Sequence, residues 1–380
     1  MYSLTEEQRM LRDMVRDLAQ KVIAPRAAEV DETGEYPWDI KEALARQELL
    51  ALPFPEEYGG AGADMLTLCL VVEELAKVDA SSALIIGIQS LGAIPIMLAG
   101  TAEHKARYFP KLAKGEWMPA FALTEPGAGS DAAAIRTKAV RDGDSYVLNG
   151  NKHFITNVGL AQVYTIFAMT APEKGTRGIS AFLVEADTPG FSIGKIEHKM
   201  GIRGSRTGEV VMQDCRIPAG NLLGNEGDGF KIAMMTLDRS RPEIGAQAVG
   251  IAQGALDFAA KYAKERVQFG APIANLQAIQ FMLVDMATQV DAARLMVYRA
   301  AKAIDEGDKN ISMYSAMAKC FASDVAMRVT TDAVQVLGGY GYMKEYPLER
   351  MMRDAKITQI YEGTNQILRL VAARGLLAQY

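Results

Sequence analysis

The amino-acid sequence predicts an α+β chain in three parts: an N-terminal helical domain, a middle antiparallel β-barrel domain and a C-terminal four-helix bundle. Two observations carry this prediction. Apolar residues follow helix spacing to about residue 118 and again after Gly229, and between them lie short strand-like runs bounded by Gly and Pro. Short strands without intervening helices favour antiparallel pairing. The expected domains are 1–118, 119–229 and 230–380.

The first helix is expected to start at Thr5-Glu6-Glu7-Gln8, which matches a capping box. Leu11, Met14, Val15, Leu18 and Val22 then keep helix spacing, and Pro25 closes the segment. Further helices are expected over 63–79 and 83–100. No charged residue occurs from Ala80 to Ala102, which is long enough to span a bilayer. Ser81, Ser82, Gln89 and Ser90 interrupt it, as do Gly87, Gly92, Pro95 and Gly100. The expectation is two buried helical pieces, broken at the glycines, and no membrane span.

In the middle part, Ser145–Thr156 reads as strand, turn, strand, with Asn149-Gly150 as a tight hairpin. Tyr164–Thr170, Ile179–Glu185 and Gly208–Asp214 read as further strands. In the last part, Ile279, Met282, Leu283, Met286, Val290 and Val297 form one apolar stripe. Similar helices are expected over 230–266, 313–337 and 365–377, and four long antiparallel helices imply a bundle.

Composition excludes several classes. A chain of 380 residues with 49% hydrophobic and 23% charged residues is globular, not disordered or collagenous. A net charge of −5 without a basic block disfavours nucleic acid. Cys69, Cys215 and Cys320 form no CxxC pair, which fits a reducing compartment and no disulfide framework. With three histidines, a histidine-rich metal site is not expected. The first twenty residues carry charges throughout and no apolar core, unlike a secretory signal. The expected location is cytoplasmic, or the mitochondrial matrix for a processed eukaryotic form.

No GxGxxG opens a helix after a strand, and GxxxxGK[ST], HExxH and GxSxG are absent. Three less familiar segments carry polar groups suited to chemistry. Thr124-Glu125-Pro126-Gly127-Ala128-Gly129-Ser130-Asp131 is a Gly-rich polar loop whose backbone amides can approach a ligand closely; an ordinary surface turn is the plain alternative. Phe154-Ile155-Thr156 puts an aromatic ring and a hydroxyl on one strand face, where cross-strand packing is the alternative. Ile360-Tyr361-Glu362-Gly363-Thr364 puts a carboxylate among apolar residues, where desolvation can raise its pKa and make it a general base. A helix-start glutamate stabilised by the dipole is the alternative there.

Taken in order, the segments resemble the acyl-CoA dehydrogenase family, and most closely its short- and medium-chain branches. The resemblance covers essentially the whole chain. Phe54-Pro55-Glu56-Glu57-Tyr58-Gly59-Gly60 opens it, followed by Leu123 to Asp131, Asn149 to Asn157 and Met200-Gly201-Ile202-Arg203-Gly204-Ser205. Glu265-Arg266-Val267-Gln268-Phe269-Gly270, Gln335 to Gly341, Arg353-Asp354-Ala355-Lys356-Ile357 and Tyr361-Glu362-Gly363-Thr364 complete it.

The resemblance implies an FAD enzyme that removes the α-proton of an acyl-CoA with a carboxylate and sends the β-hydrogen to flavin N5 as hydride. The product is a 2-enoyl-CoA, and an electron-transfer flavoprotein takes the electrons. Glu362 matches the base. The backbone N–H of the base and a flavin ribityl hydroxyl stabilise the thioester oxygen in the family, and Gly363 keeps the backbone open there.

Leu123, Thr124, Gly129 and Ser130 match the loop along the isoalloxazine edge, with Phe154 and Thr156 behind the ring. Arg266, Gln268, Phe269, Leu276 and Gln277 match a group reaching the FAD of a neighbouring subunit. Gln335, Gly338 and Gly339 match a loop at the dinucleotide, and Thr364 and Gln366 match contacts to the adenosine half. Ser130, Thr170, Asp238 and Arg241 match CoA contacts. The family is usually homotetrameric, as paired dimers.

The sequence departs from the family pattern in places. Phe154 stands where many members have Trp. Ser240 stands where long-chain and isovaleryl-type members place their base, which supports Glu362; Glu243, one turn on, is the rival carboxylate. Glutaryl-type members carry an Arg near position 83, whereas here Ser82-Ala83-Leu84-Ile85-Ile86 has no cation, which disfavours a dicarboxylic substrate. The bulk of Leu84, Ile85 and Ile88 points to a short, branched or cyclic acyl group. An acyl-CoA oxidase or enoyl-CoA reductase on the same fold, and a flavin-free helical scaffold, are the competing readings. Oxygen consumption marks an oxidase, and a colourless protein that cannot be reconstituted marks a scaffold.

Overall fold

The computed structural model describes residues 4–380. Its first part is helical: α1 (Glu6–Leu18), α2 (Ala27–Thr33), α3 (Trp38–Arg46), α4 (Met65–Ala76), α5 (Ala80–Ala99) and α6 (Ala102–Ala113). Thr5 and Gln8 form the capping box that starts α1. Pro25 does not close that segment. The chain continues as a π turn over Ala19–Ile23 and a 3-10 turn over Ala24–Arg26, in which Pro25 occupies an early position where its missing N–H costs little.

A single helix, α5, replaces the two broken pieces expected over 80–102. Its glycines serve packing: a side chain at Gly92 would come within 2.4 Å of Pro119. Pro95 removes one backbone bond but does not end the helix. By length and composition α5 could cross a membrane, yet 78% of its most apolar stretch is buried inside this protein.

The middle part contains β1 (Pro119–Ala122), β2 (Lys138–Asp142), β3 (Ser145–Thr156), β4 (Val163–Met169), β5 (Ile179–Glu185), β6 (Phe191–Ile196), β7 (Thr207–Pro218) and β8 (Leu222–Leu223). They form one sheet in the order β6-β7-β3-β2-β4-β5-β8, with β1 on β4. Pairing is not wholly antiparallel as the sequence predicts. β1 runs parallel to β4, and β2 meets β4 in parallel at Lys138 and Met169.

Asn149-Gly150 is not a hairpin either. β3 runs through it with a register shift against β7. Gly150 has φ +149°, and a Cβ there would approach Thr137 Oγ1 to 2.5 Å, so glycine is needed for close approach of β2 rather than for a turn. The tight turn is Gly143-Asp144, between the paired residues Asp142 and Ser145.

The last part begins with α7 (Gly229–Glu265). A small hairpin of β9 (Val267–Gln268) and β10 (Ala271–Pro272) follows, then α8 (Gln277–Asp305), α9 (Ile311–Leu337), α10 (Leu348–Thr358) and α11 (Asn365–Leu377). Only α7, α8 and α9 are long. The helix expected over 365–377 is present as α11 but is short; α10, which the sequence reading did not expect, precedes it, and the break between them holds Glu362. One apolar core joins α4 and α5 to α7, α8 and α9, which ties the two helical parts together. A second core fills the sheet interior.

Candidate active site

The break between α10 and α11 is held from several sides. Thr364 caps α11, its side chain accepting from Ile367 N at 3.4 Å, so Glu362 is not the helix-start residue. Buried Asn365 donates to Cys320 O, Ser323 Oγ and Asp324 Oδ1, all on α9. Glu362 has φ +52° and Gly363 φ +100°. A non-glycine residue at positive φ costs about 1–3 kcal/mol and persists only where its surroundings enforce it.

Two buried cations do so here. Arg241 Nε donates to the Glu362 carbonyl at 3.1 Å, and Lys319 Nζ donates to the Gly363 carbonyl at 2.7 Å. The Tyr361 hydroxyl bonds to the Gln247 side chain. No backbone acceptor among the described residues takes the Glu362 N–H.

The Glu362 carboxylate accepts from Ser240 Oγ at 2.6 Å. It keeps a small opening to solvent, but burial dominates and pushes its carboxyl above the usual range, against the pull of Ser240, Arg241 and Lys319. Burial also lowers Lys319 to about 7. Ser240 thus supports Glu362. Glu243 is 2% exposed, and its Oε1 accepts from Ser90 Oγ at 2.6 Å on α5. Burial raises Glu243 to about 8.

Asp238 and Arg241 are paired at 2.6 Å, and Arg241 is 4% exposed. Both have partners inside the chain, including Ser312 Oγ on Asp238 at 3.1 Å.

A second group forms at the loop after β1. Lys152 Nζ, fully buried on β3, donates to Leu123 O at 3.1 Å and to Glu125 Oε1 at 2.7 Å. Burial works against the charge on Glu125, but Lys152 and two backbone donors, Arg136 N and Thr137 N, outweigh it and hold the carboxyl below its usual value. His153 N donates to Thr124 O at 2.8 Å. These bonds bring Leu123 and Thr124 beside the stretch of β3 that leads to Phe154 and Thr156, and Gly129 and Ser130 follow in the same loop. No atom lies within 4 Å of a Cβ position at Gly127 or Gly129, so their backbone faces open space. Phe154 has φ +58°, at a register shift between Lys152 and Ile155, and its ring is 60% exposed.

A third group lies on the outer surface of the C-terminal helices. The Arg266 guanidinium sits 5.3 Å over the Tyr340 ring, beside Gly338 and Gly339. Phe269 has φ +53° and is 94% exposed. Gln268, Leu276, Gln277, Gln335 and Gln366 are also exposed. Among the described residues, no hydrogen bond or ion pair joins Arg266, Gln268, Gln277 or Gln335 to the loop at Thr124 or to Phe154. Thr170 lies apart from both, in a cleft of about 160 Å³ with Lys138, Arg141 and Glu226, its hydroxyl 2.8 Å from Ser180 Oγ.

Sequence reasoning passed over Lys319 and Asn365. A signal existed: Ser315, Lys319 and Ser323 recur every fourth residue among the small and apolar residues of the first half of α9 and are fully buried. His153, Glu197 and Glu209 place three ligand-type atoms within 4.8 Å of one another, but Lys195 Nζ already holds Glu197 at 2.9 Å.

Fold and site together define the class: a helix–sheet–helix fold with a largely buried carboxylate at a strained backbone position between two helices. Three family models match in order: the acyl-CoA dehydrogenase N-terminal domain over residues 5–116, middle domain over 120–215 and C-terminal domain over 227–377. A cyclohex-1-ene-1-carbonyl-CoA dehydrogenase of Geobacter metallireducens is 53% identical over 99% of this chain and 100% of its own. The butyryl-CoA dehydrogenase of Megasphaera elsdenii superposes with a TM-score of 0.96, at 49% identity, over 99% of this chain and 100% of that one. A chain from the structure of the electron transferring flavoprotein of Acidaminococcus fermentans superposes at 0.97, with 52% identity and 99% of both chains covered. The protein belongs to the acyl-CoA dehydrogenase family, whose members are flavoprotein oxidoreductases.

Proposed function

We propose that the protein dehydrogenates a short, medium, branched or cyclic acyl-CoA at its α,β bond, with FAD as cofactor and Glu362 as general base. The observation that carries this reading is Glu362 itself: a carboxylate of raised pKa, at a strained backbone position in the α10–α11 break, bonded to Ser240 on α7. A weakly acidic C–H needs such a base.

The chain's residues divide the work. Glu362 takes the α-proton, and Ser240 fixes the carboxylate so that its other oxygen faces the substrate. The backbone N–H of Glu362 is free to bond the thioester oxygen as charge develops on it, a contact of a kind whose removal costs about 3 kcal/mol. Arg241 and Lys319 are positioning residues that hold the strained carbonyls from behind.

FAD fits on three observations: open backbone at Gly127 and Gly129, the exposed Phe154 ring beside Thr156, and a cation over an exposed aromatic ring at Arg266 and Tyr340. The chemistry that FAD would supply there when bound is acceptance of the β-hydrogen as hydride. Leu123, Thr124, Gly129, Ser130, Phe154 and Thr156 would hold the ring. Arg266, Gln268, Phe269, Leu276, Gln277, Gln335, Gly338 and Gly339 would face the cofactor of a neighbouring copy in a tetramer, with Thr364 and Gln366 at the adenosine end. Ser130 and Thr170 would meet the CoA arm. The relative from the electron transferring flavoprotein structure supports such a flavoprotein as electron acceptor. Butyryl-CoA and cyclohexenecarbonyl-CoA in the names of two relatives support a compact acyl group.

The test is anaerobic bleaching of the flavin absorbance by straight, branched and cyclic acyl-CoAs. At least one is expected to bleach it rapidly. If none does, the proposed activity is wrong.

A further inference from the structure

Glu243 is a buried acid whose hydrogen bonding is incomplete. Oε1 accepts from Ser90, but Oε2 is shielded from solvent and has no partner among the described residues. The charge that acts on it is that of Glu362, which is also negative, so no cation favours its ionisation, and burial holds it neutral near pH 7. A neutral carboxyl that accepts through one oxygen carries its proton on the other. Glu243 therefore presents an unused O–H donor. Leaving a buried donor unmet is costly, and native structures retain such groups mainly where a ligand or function requires them.

Its position on α7 puts it one helical turn from the residue that holds the proposed base. Glu243 follows Ser240 by three residues on α7, so both side chains leave the same side of the helix, and Ser240 touches the Glu362 carboxylate. Ser90, which bonds Glu243 from α5, follows Gly87 by three residues. A Cβ at Gly87 would meet only Leu84, at 3.9 Å, so space is open there. An acyl chain with its α-carbon at Glu362 would run past Glu243 with the atoms beyond its β-carbon.

We propose that Glu243 is a specificity-determining residue that donates a hydrogen bond to an oxygen on the acyl group beyond the β-carbon, so that the preferred substrates are oxygen-bearing short or cyclic acyl thioesters. The inference rests on the dehydrogenase reading above. A purely apolar pocket separates a methylene from an oxygen poorly, whereas a site with a buried donor rejects the hydrocarbon because its own group is left unpaired.

The experiment compares isosteric pairs in anaerobic flavin reduction by the holoenzyme: pentanoyl-CoA against 4-hydroxybutyryl-CoA, and cyclohexanecarbonyl-CoA against its analogue with a ring oxygen in place of the distal methylene. Wild type should favour the oxygen-bearing member of at least one pair roughly tenfold to a hundredfold in kcat/KM. Glu243→Leu should reverse that ratio. Glu243→Gln, which can still accept from Ser90 and donate an N–H, should keep the preference. Equal kcat/KM within both pairs in wild type, or an unchanged ratio in Glu243→Leu, overturns the inference. If the leucine variant does not fold, the wild-type ratio and the glutamine variant decide. Reduction by hydrocarbon acyl-CoAs without discrimination overturns this inference alone; no reduction by any acyl-CoA overturns the proposed function, and this inference with it.

Discussion

The surroundings of the Glu362 carboxylate and the outer face of the C-terminal helices are built in opposite ways. Around Glu362 every strained or charged group is answered from within one chain: Ser240 on the carboxylate, Arg241 and Lys319 on the carbonyls, Asn365 on α9. On the outer face, Arg266, Gln268, Phe269, Gln335 and the Gly338–Gly339 turn stand largely exposed. Both regions hold backbone strain; Glu362 and Phe269 are two of seven described non-glycine residues with positive φ. Strain enforced by internal contacts marks a finished site. Strain at Phe269, a residue 94% exposed, has no such internal contact to enforce it, which is what the proposed contact with a neighbouring copy requires.

Four changes would break or sharpen that contrast. The largest effect is expected from Glu362→Gln, which keeps shape and the Ser240 contact but removes the base. The rate of flavin bleaching should fall roughly 10²–10⁴-fold with flavin content unchanged. In wild type the same rate should rise with pH, because Glu362 acts only when ionised. Its raised pKa puts that rise above the usual carboxylate range, and activity is lost as pH falls through it.

Lys152→Met tests the loop at Thr124. It leaves Glu125 buried without its cation, which should cost about 3–5 kcal/mol, seen as a lower Tm and a loosened flavin.

Arg266→Ala with Phe269→Ala tests the outer face. Unlike the first two, it should leave the Tm of a single chain nearly unchanged, while flavin content and assembly size, by absorbance and sedimentation, fall together.

The smallest effect is expected from Gly363→Ala. At φ +100°, with Leu368 Cδ2 3.1 Å from the new Cβ, the cost is about 1–3 kcal/mol in thermal unfolding.

Much of this was legible in the sequence, and the misses share a cause. Helix ends and stripes read well because capping and 3.6-residue spacing are local; Thr5 and Gln8 show it. Asn149-Gly150 misled because its glycine answers Thr137, the residue just before β2, not a local turn. The parallel β1–β4 pairing was invisible, since four residues of Pro119–Ala122 give no sign of their partner. α5 looked broken because Gly92 and Pro95 read locally as breakers, while packing against β1 keeps the helix whole. Glu362 was picked out through its motif, and the structure puts it at a largely buried, strained break between two helices. Lys319, which braces it, comes from 43 residues earlier in the chain, and only its spacing from Ser315 and Ser323 marked it.

The central claim is that a strained carboxylate, complete within one chain, removes the α-proton. Deuterium wash-in tests it directly: enzyme and an acyl-CoA substrate are mixed anaerobically in D₂O, and the α-carbon of the recovered thioester is read by mass spectrometry. Wild type should exchange the α-hydrogen, and Glu362→Gln, with its flavin retained, should not. Equal exchange in both would contradict the account and move the base elsewhere.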